Sequence, residues 1–351
     1  MTQKTFFDEI PFVRAIACLL VVMIHTTARA YTPEESLFFN DVSLYLNQIS
    51  RLGTPIFAVI SAFLLTSSVI NRGFYLKKFI TSRFVKIVSP YIIWTFVYLM
   101  FVKYIQDGQI FRHLKQTFDY FALGQAKTHL YFIVTVIHFY ILFPFLQLVR
   151  NRIVLLILLI VSLPINYLWV TNTFPEFINI FGKFKHVVTD RSFILNWISF
   201  FMFGSVLAYY WTETLAFVKK FSWLIYLSTV VLFYFIFKEV QPDVLLSSSR
   251  KENLVYIPVF VIFLIAIARI VVNYEKVYRP FRVIGDYSMG IYLVHPLILY
   301  FIEDFFPFLF KTPYLLLVAY VLTLIISSIL MKIISLFPKS TFIVPIPKQR
   351  K

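Results

Sequence analysis

The chain has 351 residues, of which 60% are hydrophobic and only 14% are charged. So apolar a composition excludes an ordinary soluble domain, and repeated apolar runs of about 20 residues predict an all-α, polytopic integral membrane protein. Lys and Arg outnumber Asp and Glu by 33 to 17, but these charges stand in short gaps between apolar runs. That pattern indicates loops that face anionic lipid rather than a surface that binds nucleic acid. The single cysteine excludes an intrachain disulfide.

Ten apolar runs predict about ten transmembrane helices in one bundle. They lie at about 10–28, 51–70, 84–103, 129–149, 153–170, 193–211, 221–238, 254–273, 287–302 and 313–336. An even number of spans places both termini on one side. Lys and Arg concentrate in the gaps on that side, so the positive-inside rule predicts cytoplasmic termini. No linker, repeat or low-complexity tract interrupts the chain, and residues 1–351 are expected to form a single membrane domain.

The first apolar run is followed by Ala28-Arg29-Ala30, an A-x-A pattern typical of a cleaved signal peptide. Against a leader, Asp8 and Glu9 leave the preceding segment only weakly basic, and Arg14 interrupts the apolar region. We therefore interpret this run as the first membrane helix.

Arg14 and His25 stand eleven residues apart in this run. At about 100° per residue, eleven steps come to about 1,100°, which is about 20° more than three turns. Both side chains are thus predicted to share one stripe of the helix, about 16 Å apart along its axis. Ionisable groups inside a membrane helix are costly and usually face the bundle interior at functional sites. This stripe is predicted to form one wall of an active site, with Arg14 nearer the cytoplasm and His25 nearer the outer face.

Other polar residues argue against competing classes of protein. All 17 Asp and Glu fall in predicted gaps or at the ends of spans, which weakens the hypothesis of a proton-coupled transporter with a buried carboxylate relay. His25, His138 and His295 lie in different spans, without a second Cys or an HExxH motif, so no metal site is expected. Cys18 lies close to the Arg14 stripe, but a buried Cys is more often core filler than a nucleophile.

Several later segments carry short motifs. They are Gly53–Ser61 (GTPIFAVIS), Arg83–Pro90 (RFVKIVSP), Leu123-Gly124-Gln125 followed by Tyr131–Val134 (YFIV), and Ile291–Pro296 (IYLVHP). Together with the Arg14 to His25 spacing, their order resembles that of the acyltransferase family 3 membrane proteins. Glu9, the Gly-Thr-Pro segment and Leu-Gly-Gln look closest to the IcaC-like subgroup, which is linked to poly-N-acetylglucosamine export and modification. Ala62 replaces a usual Gly of the family, and Lys86 replaces an Arg.

The resemblance implies an integral-membrane O-acyltransferase in a bacterial plasma membrane. Its co-substrate would be cytoplasmic acyl-CoA, acetyl-CoA or succinyl-CoA, and its acceptor a hydroxyl of a cell-envelope glycan or lipid-linked sugar. Glycan-synthesis proteins are expected partners besides the membrane lipids. His25 would be the general base, because the pKa of imidazole lies near the working pH. Arg14 would hold a phosphate, a carbonyl or a developing oxyanion.

Donor binding is assigned to Arg83 and Lys86, which belong to a basic gap that also holds Arg72, Lys77 and Lys78. Lys86 keeps a charge but lacks the planar fork of Arg, and ordinary positive-inside anchoring is an equal explanation for this gap. Ser61, His295, Glu9 and Arg51 are accessory candidates. A polysaccharide exporter or flippase without acyl transfer, and an inactive relative that acts as an assembly partner, are the alternative hypotheses.

Overall fold

A computed structural model describes residues 7–32, 37–38, 41–174, 176–241 and 246–345. The described chain is helical apart from loops and one antiparallel pair of two-residue strands, Tyr31–Thr32 with Leu37–Phe38. The α-helices are α1 Glu9–Thr27, α2 Asp41–Ser50, α3 Gly53–Arg72, α4 Leu76–Arg83, α5 Ser89–Tyr104, α6 Leu114–Ala122, α7 Tyr131–Leu146, α8 Arg152–Val170, α9 Lys185–Val188, α10 Ile198–Tyr209, α11 Trp211–Lys220, α12 Ser222–Glu239, α13 Asn253–Val271, α14 Glu275–Phe305 and α15 Pro313–Ser335. A π-helical turn, Phe84–Val88, joins α4 to α5. Short 3₁₀ turns lie at Ala28–Ala30, Glu176–Phe184, Ile194–Asn196, Pro307–Phe310 and Ser340–Phe342.

The predicted all-α membrane class is confirmed, but the number of ten spans is not. Within the described residues, seven helical stretches are long and apolar enough to cross a membrane. These are Glu9–Thr27, Asp41–Arg72, Leu76–Tyr104, Arg152–Val170, Ser222–Glu239, Asn253–Val271 and Pro313–Ser335. Each of the other three predicted spans coincides with a helix that does not qualify. The helices α7 and α10 have 16 and 12 residues, fewer than the roughly 20 that a bilayer needs, and polar side chains lower the mean hydropathy of α14.

Some predicted gaps are helical. The outer gap at 29–50 contains α2, and the gap at 104–128 contains α6. The basic gap between Arg72 and Lys86 is also no open loop, since the chain is helical from Leu76 onward through the π turn. These segments are short and rich in polar residues, and a search for long apolar runs passes over them.

The chain divides into two compact units. Within the described residues, the first unit is drawn from 7–60 and 210–338, two segments that are far apart in the sequence. Within it, α1 packs against α14, α2, α13 and α15, and α14 also packs against α15. Phe12 of α1, Ala268 of α13 and Tyr278 of α14 form a buried apolar cluster. This unit therefore surrounds α1 with helices that come mostly from the second half of the chain.

Glycines allow two close approaches to α1 in this unit. A Cβ at Gly53 would lie 2.8 Å from the Ala17 carbonyl oxygen, and one at Gly285 would overlap the Pro11 carbonyl oxygen. Only a residue without a side chain lets the backbone of α3, or that of α14, come so near to the backbone of α1. Both glycines thus bring polar groups of the neighbouring helices into reach of α1.

The second unit contains residues 61–209 and 339–345. Here α8 packs against α10, where the Asn166 side chain accepts a hydrogen bond from Ser199 N at 3.2 Å. The turn Ser340–Phe342 packs near the start of α5. Ser89 and Trp94 donate to the carbonyls of Phe342 and Ile343 there, at 3.0 and 3.2 Å. Two hydrogen bonds thereby fix the end of the described chain to α5.

Candidate active site

The helices α1 and α14 run in the same direction, and their contacts follow the sequence of both. Tyr278 donates to the Asp8 carbonyl at 2.8 Å, and Arg14 lies beside Gly285 and Ser288. Further along, His25 contacts His295, and Arg29 forms an ion pair with Glu303 at 2.7 Å. The stripe that the sequence predicts on α1 is therefore the face that packs against α14.

Arg14 binds α14 with a planar set of donors. Its Nε donates to Ser288 Oγ at 3.2 Å, and its Nη2 donates to the carbonyls of Gly285 and Asp286. The Nη1 group has no hydrogen-bond partner among the residues that the structure describes, so two of the five N–H groups remain available. Arg14 can thus fix α14 and still bind one further acceptor.

His25 lies in the last turn of α1 with its ring next to that of His295. The ring centroids are 4.9 Å apart and the planes are tilted by 53°. His295 is fully buried, and its Nδ1 lies 3.0 Å from the Ile291 carbonyl. Because a carbonyl can only accept, Nδ1 carries the proton in this bond, and Nε2 is the acceptor nitrogen of the neutral ring. The arrangement therefore pairs two imidazoles, one of which has a fixed tautomer.

Cys18 is buried one turn above Arg14 on the same face. Its Sγ lies 3.8 Å from the Ser288 carbonyl, to which the thiol donates. On the adjacent helix, Tyr320 donates to the Leu19 carbonyl at 3.2 Å. This packed surrounding favours the interpretation of Cys18 as a packing residue.

The last turn of α1, which carries His25, is also held by α2. Asn47, which is 1% exposed, donates from Nδ2 to the Ile24 carbonyl and to Thr27 Oγ1, both at 3.0 Å. Arg51 Nη2 donates to Asn47 Oδ1 at 3.1 Å. Arg51, an accessory candidate, is thus connected through one side chain to the turn of α1 that carries His25.

Glu9 and Ser61 are less closely connected to this site. Glu9 is half-buried and is the first residue of α1. A carboxylate at this position interacts favourably with the positive end of the helix dipole. Ser61, half-buried in α3, belongs to the second unit and makes no side-chain hydrogen bond within the described residues. For these two positions, the local geometry supports helix stability and packing.

The two donor-binding candidates lie in the second unit. The Arg83 guanidinium stands over the rings of Tyr140 and Phe79, 5.5 and 5.9 Å from their centroids, and donates to Ser82 Oγ at 3.2 Å. Lys86 is exposed one turn further on. An open groove of about 780 Å³ is lined by Tyr75, Lys77, Lys78, Thr81, Ser82, Val85 and Lys86. Its cations and hydroxyls are groups that bind phosphate.

Two residues of the site were not predicted from the sequence. Ser288 stands seven residues before His295, and seven residues are nearly two turns, so this spacing on α14 could have indicated a shared face. Asn47 had no such signal, because its helix lies in a segment interpreted as a gap. No group of three or more His, Cys, Asp or Glu that could hold a metal ion occurs in the parts of the chain that the structure describes.

Apolar spanning helices and a partly buried cation–imidazole face between α1 and α14 define a membrane-embedded protein with a polar site between these helices. The family model of acyltransferase family 3, described as an acyltransferase domain, matches residues 7–332. The chain belongs to this family and is an acyltransferase, which uses an acyl donor as co-substrate. The family resemblance predicted from the sequence is confirmed.

Curated relatives are similar to this chain over most of its length. The "Probable poly-beta-1,6-N-acetyl-D-glucosamine export protein" of Staphylococcus aureus (strain Mu50) is 24% identical over 300 residues, which cover 83% of this chain and 82% of the relative. A protein of the same description from Staphylococcus epidermidis is 23% identical, with 83% and 81% covered. These IcaC-like relatives confirm the predicted subgroup resemblance. No solved structure matches the chain.

Proposed function

We propose that this protein transfers an acetyl or succinyl group from cytoplasmic acyl-CoA to a hydroxyl of an extracytoplasmic glycan or lipid-linked sugar. The observation that carries the proposal is the contact between His25 and His295, which lies on the same face of α1 as the bonds from Arg14 to α14 and eleven residues further along the helix. The family supports the reaction class, and the description of the relatives supports an N-acetylglucosamine polymer as acceptor. The protein would lie in a bacterial plasma membrane with both termini in the cytoplasm.

In this proposal His25 takes the proton of the acceptor hydroxyl while its oxygen attacks the thioester carbonyl. The new ester C–O bond forms as the C–S bond breaks, and the CoA sulfur leaves and takes up the proton. His295 orients His25 through the contact between their rings, because its own ring is fixed by the bond from Nδ1 to the Ile291 carbonyl. The free Nη1 of Arg14 holds a donor phosphate or carbonyl. Glu9 and Arg51 are accessory groups, and Ser61 has a packing role.

Arg83 and Lys86 are proposed to bind the donor at the basic groove of the second unit. Lys77, Lys78 and Lys86 line this groove, and Arg83 is held beside it by two aromatic rings. Several phosphate charges on CoA match clustered cations. Although Lys86 replaces a family Arg, neighbouring lysines supply further positive charge.

The test uses purified protein in detergent with labelled acetyl-CoA and succinyl-CoA and a poly-β-1,6-N-acetylglucosamine acceptor. We expect label transfer by the wild type and none by His25→Ala, because the base is lost. The matched control is His138→Ala, since His138 also lies in an apolar helix and bonds a backbone carbonyl, that of Ser192. It should transfer normally. Unchanged transfer by His25→Ala would show that the proposed mechanism is wrong.

The description of the relatives as export proteins supports a second candidate, an exporter of the polysaccharide without acyl transfer. It would be favoured if neither donor were consumed while vesicles containing the protein still moved labelled glycan. In that case His25→Ala should leave the movement intact, and Arg14 and His25 would serve only to pack α1 against α14.

A further inference from the structure

Asn47 uses every hydrogen-bonding group of its side chain at the contact between α2 and α1. The two N–H groups of Nδ2 go to the Ile24 carbonyl and to Thr27 Oγ1, and Oδ1 accepts from Arg51. Thr27 is fully buried, as is Asn47 itself at 1% exposure. A buried amide with all its partners present fixes the groups around it, because breaking any bond leaves a polar atom unsatisfied.

The two α1 partners of Asn47 lie on either side of His25 in the sequence. Ile24 precedes His25, and Thr27 is the last residue of the helix. Helix ends fray because their last carbonyls lack helical partners. An imidazole in such a turn would move with it, and a displacement of about 1 Å in an active site can cost about 100-fold in rate.

We propose that Asn47 is a positioning residue for His25: its amide holds the last turn of α1 so that the imidazole keeps its place beside His295. Arg51 orients the amide by donating to Oδ1, which leaves Nδ2 to face α1. The inference rests on the proposed function, in which His25 is the base, and it assigns α2 a part in the reaction.

Asn47→Asp distinguishes the bond that Asn47 accepts from Arg51 from the two bonds that it donates to α1. The carboxylate still accepts from Arg51, but it has no N–H to donate to Ile24 or Thr27. We expect kcat for acyl transfer to fall by about 10- to 100-fold, as in Asn47→Ala, while KM for the acyl donor stays unchanged. If Asn47 served only to hold Arg51, Asn47→Asp would transfer at the wild-type rate.

Thr27 provides an independent measurement. Thr27→Val keeps the shape but removes the hydroxyl that accepts from Asn47, so it should lower kcat by less than Asn47→Asp does, because the bond to Ile24 remains. Thr27→Ser should restore the rate, since it keeps the hydroxyl. Because both residues act through one bond, the double variant with Asn47→Asp should be no slower than Asn47→Asp alone.

Asn253→Asp is the matched control. Asn253 is also fully buried, accepts from Arg250 Nε at 3.4 Å and donates to the Ser248 carbonyl at 2.8 Å. Those contacts stay within the turn that precedes α13, so kcat should be unchanged. Equal losses of kcat and of thermal stability in Asn47→Asp and Asn253→Asp would make Asn47 merely structural and overturn the inference.

The outcomes distinguish the inference from the function on which it rests. If His25→Ala is inactive and Asn47→Asp retains the wild-type kcat, the inference is wrong and the proposed function stands. If His25→Ala transfers normally, His25 is not the base and the inference about Asn47 fails with that mechanism, while acyl transfer itself stands. If the wild type consumes neither donor, the proposed function fails. Inactive His25→Ala with slowed Asn47→Asp and normal Asn253→Asp supports both.

Discussion

At the scale of single residues, Arg14 combines two tasks that a smaller cation could not. Its Nε and Nη2 bind a serine hydroxyl and two carbonyls of α14, while Nη1 remains available. A guanidinium presents these donors in one rigid plane, whereas an ammonium is a compact point charge with three donors. The side chain therefore fixes the helix pair and can still bind substrate.

We expect Arg14→Lys to lower kcat/KM for acyl transfer strongly, because the ammonium cannot reach all three α14 groups. Ser288→Ala removes one acceptor and should cost about 1 kcal/mol of transition-state stabilisation. In the Arg14→Lys background Ser288→Ala should have little further effect, giving a coupling energy of about 1 kcal/mol in a double-mutant cycle.

Ser327→Ala is the control for this cycle, since Ser327 is fully buried in α15 and its hydroxyl has no hydrogen-bond partner within the described residues. It should behave like the wild type. Additive losses from Arg14→Lys and Ser288→Ala would contradict a functional bond between the two residues.

The positions of Arg14 and His25 on one face followed from helical periodicity alone, which is a local property. That α14 covers this face did not, because hydrogen bonds such as that from Arg14 to Ser288 join residues 274 positions apart. Nothing in the spacing within α1 specifies its partner. His295 became a candidate through its Tyr-Leu-Val-His motif, whereas Ser288 and Asn47 had no comparable signal.

At the scale of elements, the π-helical turn Phe84–Val88 sets the spacing of the basic residues. Pro90 follows it and has no N–H, so the carbonyl one turn before it cannot be paired in an ordinary α-helix. A π turn absorbs one extra residue at such a place and is often found at functional sites. In this chain it lies between Arg83 and the apolar part of α5.

We expect Pro90→Ala to restore regular α-helical pairing and to shift Lys86 relative to Arg83. Because both residues are proposed to bind the donor, KM for acyl-CoA should rise while the protein remains as stable as the wild type. The measurement is KM for the donor at saturating acceptor, beside thermal unfolding in detergent. Pro164→Ala in α8 removes a proline from a helix without basic residues near it and should leave KM unchanged. An unaltered KM in Pro90→Ala would separate the π turn from donor binding.

Helix positions in apolar stretches were predictable because burial in lipid demands long uninterrupted runs. The polar helices α2 and α4 were not, since neither is long or apolar enough to give that signal. Their helicity depends on packing and on continuity with neighbouring helices. Asn47, one of the two site residues that were not predicted from the sequence, lies in α2.

At the scale of the whole molecule, the net charge of +16 is distributed unevenly between the gaps. The proposed reaction requires the basic side to face the cytoplasm, where acyl-CoA is found. Lys219 and Lys251 lie on either side of α12, which is long and apolar enough to span the membrane. The side of the membrane on which each of these two positions is accessible therefore gives the orientation of the protein in the membrane.

Orientation can be measured by cysteine labelling, because the chain has a single cysteine, Cys18, to remove first. In a Cys18→Ala background, Lys251→Cys should react with a membrane-impermeant thiol reagent in intact cells. Lys219→Cys should react only after permeabilisation. Both lysines are exposed, so access within the protein is comparable. The reverse labelling pattern would place the basic gaps outside the cell and would contradict a cytoplasmic donor.

The packing of α1 against α14 also determines when the contacts of Arg14 can form during biosynthesis. Arg14 leaves the ribosome more than 270 residues before the carbonyls and hydroxyl that it binds. At about 5–20 residues per second, this interval lasts about 15–50 s. An arginine costs about 2.5–3.5 kcal/mol at the centre of a lone membrane helix by insertion scales and less towards its ends. Arg14 is the sixth residue of α1, so until α14 is made its guanidinium is expected to be solvated by water or lipid headgroups at the inner face. The face that is proposed to be catalytic can therefore assemble only after nearly the whole chain has been translated.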